Sequence, residues 1–288
     1  MTAISELATT RQRPTHKRKK PIVRPALRAI AIVFVVLLFI TPLLWMLLAA
    51  FKNNLDIVSP ERTFDFTPTL KNFDTVFGAQ NFLPFIGNSL LVGFGATIIA
   101  LVLGVPAAYG IARFRIKNAT AFVLLARVIP GVSLLIPWYF LFSQVHLVGT
   151  YAVLILTHIF VTMPLVVAIM TGFFEGLPEE LEEAAQIDGS SRVGAFLRVV
   201  LPLSLPGVAT SAILSFIFSW NNFLFALVLS NQNTRTLPVA ISNFTSYASV
   251  DWGGLMAASV IITVPVMLVA LFAQRYVVAG LTAGATKG

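Results

Sequence analysis

The sequence predicts an all-helical integral membrane protein with six transmembrane helices, and three observations carry that prediction. Hydrophobic residues fill 57% of the 288 positions and charged residues only 11%, with a mean hydropathy of +0.86; a soluble globule of this size would lack the polar surface to cover itself. Six apolar runs, near 28–51, 84–110, 119–142, 151–173, 203–230 and 254–276, are each long enough as a helix to cross about 30 Å of hydrocarbon. The Lys and Arg residues between those runs are unevenly shared, as expected where cytoplasmic connections hold the excess.

Six crossings put both termini on one side. With the amino terminus inside, the cytoplasmic segments hold fifteen basic residues: eight in 1–28, Arg113, Arg115 and Lys117, two in 174–202, and two in the tail. The outer connections hold four, Lys52, Arg62, Lys71 and Arg235. Both termini are therefore expected to be cytoplasmic. The chain contains no cysteine, so disulfides and thiol chemistry are excluded and stability rests on packing.

The chain opens on a basic run, Arg11 to Lys20 with Arg24 and Arg28. Directly before the first span, this run is expected to grip anionic lipid and set orientation rather than bind nucleic acid. The apolar stretch ending at Phe51 greatly exceeds the roughly 7–15-residue core of a secretion signal, so it is expected to stay in the membrane. Residues 1–27 are read as a cytoplasmic tail, 28–276 as the six-span domain with an internal loop over 174–202, and 277–288 as a second tail.

The third span carries Arg127, the one charge placed well inside a predicted span, where it would cost about 2.5–3.5 kcal/mol on insertion scales. Its long side chain is expected to reach back toward the cytoplasmic interface; contact with an anionic solute or a gate is the other reading. Pro130-Gly131, Pro137, Pro164 and Pro265 mark expected kinks. His158 in the fourth span is expected to bond between helices rather than relay protons.

Between the fourth and fifth runs lies a polar island, residues 174–202, holding six of the chain's twelve acidic residues between Glu175 and Asp188. Pro178 suits a first helical turn, and Glu179, Glu180, Glu182 and Glu183 complement the positive end of a helix dipole. Ala184 and Ala185 leave a face that can lie close to another surface, and Asp188-Gly189 makes the reversal, glycine accepting the left-handed conformation a sharp turn needs. Ser190 or Ser191 can cap a second helix, whose Val193, Phe196, Leu197, Val200 and Leu201 form one apolar stripe. Pro202 and Pro206 then break the chain into the fifth span. The prediction is a two-helix knob projecting from the membrane.

Within the island, Glu183-Ala184-Ala185, Gly189 after three residues, and Val199, Leu201 and Pro202 after nine more fill every position of a pattern. It resembles the coupling loop of permease subunits in bacterial ATP-binding-cassette importers. Thr67 to Phe73, Asn88-Ser89, Trp220 to Phe223 and the ending Gly280 to Gly288 are similar to the carbohydrate branch, in particular the smaller membrane subunit of maltose-type systems. The resemblance implies the type I importer permease fold in the bacterial inner membrane. It implies that the knob docks in a cleft of a cytoplasmic ATPase, with Glu183 meeting a basic residue there, Ala184, Ala185, Asp188 and Pro202 shaping the contact and Gly189 making the turn. It also implies a second permease subunit, two ATPase subunits that bind ATP and Mg, and an extracytoplasmic sugar-binding protein.

No G-x-x-x-x-G-K-[ST] loop, H-E-x-x-H, G-x-S-x-G or metal-ligand cluster occurs in the sequence. The chain is therefore expected to hold no cofactor and to catalyse nothing itself. For substrate contact, Ser219, Trp220, Asn221 and Asn222 place amides and an aromatic face midway along the fifth run, groups that bond hydroxyls and stack on sugar rings; interhelical glue is the equal alternative. Tyr247, Asp251 and Trp252 in the last outer loop are candidates to meet a binding protein, or belong to an interfacial aromatic belt. Two competing functions stand beside the sugar importer: a permease of the same superfamily for another solute, and an ion-coupled secondary transporter. The latter would want midplane ionisable residues or an internal repeat, and the chain offers only Arg127 and His158.

Overall fold

A computed structural model describes residues 23–247 and 249–285; the basic run with its His16, and Lys287 at the other end, lie outside the described residues. The chain divides into two units, 1–45 and 46–288. The described part of the first is the body of helix α1 (Val23–Ala50), which exposes every side chain from Leu27 to Trp45. A helix apolar on all sides is at rest only in hydrocarbon or against another apolar surface.

The second unit is built on α2 (Leu83–Arg113), α5 (Tyr151–Glu175), α8 (Leu205–Trp220) and α10 (Trp252–Ala285). α2 and α5 run parallel: Asn88 near the start of one meets Tyr151 at the start of the other, and Tyr109 meets Phe174 at their ends. α8 runs antiparallel to α5, with Ser219 at its end against His158. Close approach needs small residues in a membrane, where packing replaces the hydrophobic drive. A side chain at Gly104 of α2 would stand 2.9 Å from Val166 of α5.

Two predicted spans are broken rather than continuous. The third becomes α3 (Ala119–Leu125) and α4 (Gly131–Gln144). Pro130, with ψ at 125°, cannot continue a helix, and its ring disfavours helical geometry at the residue before it. The fifth ends at Trp220 and resumes as α9 (Leu224–Leu229), where Asn222 Oδ1 accepts from the Phe225 amide at 3.3 Å. Among the described residues, four helices are long and apolar enough to cross a membrane unaided, and a bent pair, Arg192–Leu203 with Leu205–Trp220, makes a fifth candidate. Among the described residues there is no β-strand, only an isolated bridge between Thr245 and Val250.

Three apolar clusters fill the second unit. Trp220, Phe82, Phe244 and Leu237 form one at the end bearing the long connections. Phe174, Met170, Phe196 and Val200 form another at the opposite end, and Leu154, Phe225 and Leu229 a third beside α4. The first is roofed by polar side chains that satisfy loop and helix-end backbone. Asn72 donates to the carbonyls of Ala50 and Lys52, 2.8 Å each. Asn88 donates to those of Asn233 and Arg235 at 2.9 and 2.8 Å, and Ser89 Oγ accepts from the Leu237 amide at 2.8 Å. The Arg62 guanidinium, 2.7 Å from Asp56, holds that carboxyl below its usual range.

Replacing Asn72 by Ala is expected to destabilise the chain by about 1–3 kcal/mol, because two carbonyls at the end of α1 lose a buried donor. A lowered midpoint of thermal unfolding in detergent would bear this out; an unchanged midpoint would contradict it.

Candidate functional site

The island folds as a knob of two helices at the end shared by α2 and α5. α6 (Glu180–Ile187) begins just after Pro178, its acidic first turn set against the positive end of its own dipole. The helix stops because Gly189 turns to φ +90°, a conformation that costs a side-chain-bearing residue about 1–2 kcal/mol. The Ser190 amide closes the turn on Ala185 O at 3.0 Å. Ser191, not Ser190, caps the next helix, its Oγ accepting from the Gly194 amide at 3.1 Å. That helix, α7 (Arg192–Leu203), meets α8 at a bend of 75°, where Pro206 falls in the first turn of α8.

The predicted apolar stripe of α7 divides. Phe196 and Val200 are buried, whereas Val193 and Leu197 are 67% and 53% exposed. Residues Phe196–Val200 form a π-turn, which widens the helix and shifts the register of the residues beyond it. The division leaves an apolar edge on the knob, extended by Ile187 at 85% exposure.

The knob is fixed by a buried cluster that the sequence pattern did not single out. Glu182 Oε2 accepts from Arg113 Nε at 2.9 Å, and the Tyr109 hydroxyl donates to Glu182 Oε1. The side chains of the ion pair are only 11% and 9% exposed. Arg113 Nη1 also donates to Leu177 O at 3.4 Å. The Tyr109 ring lies against Phe196 and Phe174, with centroids 4.5 and 5.7 Å away. A weaker pair, Arg115 with Glu179 at 3.0 Å, lies in solvent and adds little. The available signal was the spacing of Tyr109 and Arg113, four residues apart on one face of a helix whose end approaches six acids.

Glu183, one residue on, is not enclosed by this cluster. It is exposed together with Ala184, Asp188, Gly189 and Pro202, and Ala185 is partly covered. An open groove of about 830 Å3 runs between the end of α2 and the knob, with Arg113, Glu182, Glu183, Gln186, Arg192 and Phe196 among its lining.

The four fifth-span candidates separate into two pairs. Trp220 is buried and donates through Nε1 to Ile262 O at 3.1 Å, and Ser219 is buried 2.7 Å from His158 Nδ1. Those two are enclosed between helices, and His158 bonds between helices as expected. Asn221 and Asn222, beyond the end of α8, line a separate pocket with Arg127. The Arg127 guanidinium lies over the Phe218 ring, 5.1 Å from its centroid. Among the described residues no group of His, Asp and Glu side chains could hold a metal ion.

Removing the Glu182 carboxylate by Glu182→Ala strands Arg113 and is expected to loosen the knob by about 3–5 kcal/mol. Limited proteolysis between Gly176 and Arg192 should accelerate, while Glu183→Ala leaves it unchanged; equal rates for the two variants would contradict the assignment.

Residues 100–283 match the family described as binding-protein-dependent transport system inner membrane component. The sulfoquinovosyl glycerol transport system permease protein of Agrobacterium fabrum is 36% identical over 252 residues, covering 86% of this chain and 88% of that protein. The trehalose transport system permease protein of Mycobacterium tuberculosis is 36% identical over 253 residues, covering 86% and 92%. A crystal structure of a bacterial ABC transporter involved in the import of the acidic polysaccharide alginate shares the fold, with a TM-score of 0.73 at 18% identity over 88% of this chain and 96% of that one. The chain belongs to the family of inner membrane permease components of binding-protein-dependent ABC transport systems.

Proposed function

We propose that this chain is one of two membrane subunits of an ATP-driven, binding-protein-dependent sugar importer, forming half of the translocation path. The knob carries this reading: α6 and α7 present Glu183, Ala184 and an apolar edge outward while Glu182 ties them inward to α2. That arrangement suits a ball seated in an ATPase cleft, with Glu183 facing a cation of the partner. The chain has no phosphate-binding loop of its own, so ATP and Mg belong to two partner ATPases and the chain is non-catalytic. A sugar as cargo is supported by relatives whose names specify sulfoquinovosyl glycerol and trehalose.

In this reading the polypeptide crosses the inner membrane six times, twice by broken helices: α3 with α4, and α8 with α9. Both termini and the knob face the cytoplasm, in keeping with fifteen basic residues on that side against four outside. The roof over Asn72, Asn88 and Asp251 then faces the binding protein. The second permease completes the path.

Charge reversal by Glu183→Lys, or Gly189→Pro, which cannot adopt φ +90°, is expected to abolish ATP-driven sugar uptake by cells while the protein stays in the membrane at normal abundance. Normal uptake by either variant would refute the coupling role.

A further inference from the structure

Beside the knob lies an open pocket of about 490 Å3, with Arg115, Lys117, Asn118, Thr120, Glu175 and Glu179 among its lining. It sits where α2 and α5 end, and both helices are long and apolar enough to cross a membrane. The connection from α2 to α3, residues 114–118, is short and folded back on itself. The Ile116 amide donates to Ile111 O at 3.1 Å and the Phe122 amide to Asn118 O at 2.8 Å, while Arg115 and Asn118 take left-handed φ values of 49° and 62°. Around this polar turn Phe114, Ile116 and Phe122 are exposed. Charged groups and uncovered apolar side chains meet in this way where headgroups give way to acyl chains.

The pocket holds charges of both signs. Arg115 Nη2 donates to Glu179 Oε1 at 3.0 Å, but both side chains are in solvent, where such a pair contributes little and opens readily. Among the described residues, the side chains of Lys117, Asn118 and Thr120 enter no ion pair or hydrogen bond. A phosphodiester would take those three donors, and a primary ammonium would take the carboxylates of Glu175 and Glu179. A headgroup that is only anionic would set its charge against both acids, so the lining suits a ligand that carries both charges.

We propose that this pocket binds the headgroup of phosphatidylethanolamine. Lys117, Asn118 and Thr120 donate to the phosphate oxygens, the ammonium donates to Glu175 and Glu179, and the acyl chains lie over Phe114, Ile116 and Phe122. Because Glu179 immediately precedes α6, the bound lipid touches the knob itself. The inference goes beyond the importer reading and needs only that α2 and α5 span the membrane.

The test is native mass spectrometry of this chain in its complete membrane assembly, stripped of lipid in mild detergent and titrated with defined probes. These are dioleoyl phosphatidylethanolamine, the matching phosphatidylcholine, whose ammonium has no N–H, the matching phosphatidylglycerol, which has no cation, and the soluble headgroup O-phosphoethanolamine. Phosphatidylethanolamine is expected to bind about fivefold more tightly than either other lipid, the scale of one exposed ion pair. Lys117→Ala and Glu179→Gln are each expected to weaken it about fivefold, whereas Lys117→Arg, which keeps a cationic donor, and Lys71→Ala, at the opposite end, retain it. Unchanged binding by both Lys117→Ala and Glu179→Gln would overturn the site. Phosphatidylglycerol bound as tightly would reduce it to a basic patch, and phosphatidylcholine bound as tightly would remove the ammonium contact; either contradicts the proposal. Displacement of the lipid by equimolar O-phosphoethanolamine would make a soluble zwitterion the ligand and overturn the lipid assignment.

Discussion

A carboxylate taken out of water, Glu182, joins the knob to the membrane domain, and the architecture at that end depends on it. An ion pair this buried is stable only when its charges are met by partners, and here both Glu182 oxygens are met, by Arg113 and Tyr109, and Arg113 Nη1 by the Leu177 carbonyl, while Arg113 Nη2 is buried without a partner among the described residues. The helices assist. Arg113 ends α2, where the dipole favours a cation, and Glu182 lies in the first turn of α6, where it favours an anion. The pair thus bridges two helix ends of opposite polarity.

This constraint divides work between neighbouring residues. Glu182 faces inward and is satisfied within the chain; Glu183 faces outward and is open to a partner. Beyond them the Gly189 turn and the 75° bend into α8 make the knob a short crossbar tied to two long helices, α2 at one side and α8 at the other. Under the proposed function, a push on its exposed edge would be delivered to both. At the far end the same helices enter the polar roof, where Asn88 and Ser89 of α2 hold the 233–237 segment.

Composition and the spacing of the coupling pattern made the class of protein and the position of the knob legible in the sequence, because both depend on residues close in the chain. The anchor was not legible. Glu179, Glu180, Glu182 and Glu183 look alike in one dimension, and only packing against α2 decides that Glu182 is buried. Pro130 was visible as a kink, yet the full separation of α3 from α4 comes from the ring and the residues ahead of it together. The split of Ser219 and Trp220 from Asn221 and Asn222 is set by where α8 stops. The exposure of Val193 and Leu197 was not legible either, because the stripe is only partly covered by the rest of the chain and its second half runs into a π-turn that a regular period of 3.6 does not anticipate.

If Glu182 holds the knob and the end of α2 as one body, the two must move together through the transport cycle. The absence of native cysteine permits spin labels at Asp188→Cys on the knob and Lys117→Cys beyond α2, both exposed positions. Pulsed electron paramagnetic resonance on the assembled importer, with and without trapped ATP, measures the distance between them. The same distance is expected in both states for the otherwise native chain, and a broadened, nucleotide-dependent one once Glu182 is replaced by Ala. A distance that changes with nucleotide while Glu182 is intact would contradict the single rigid body.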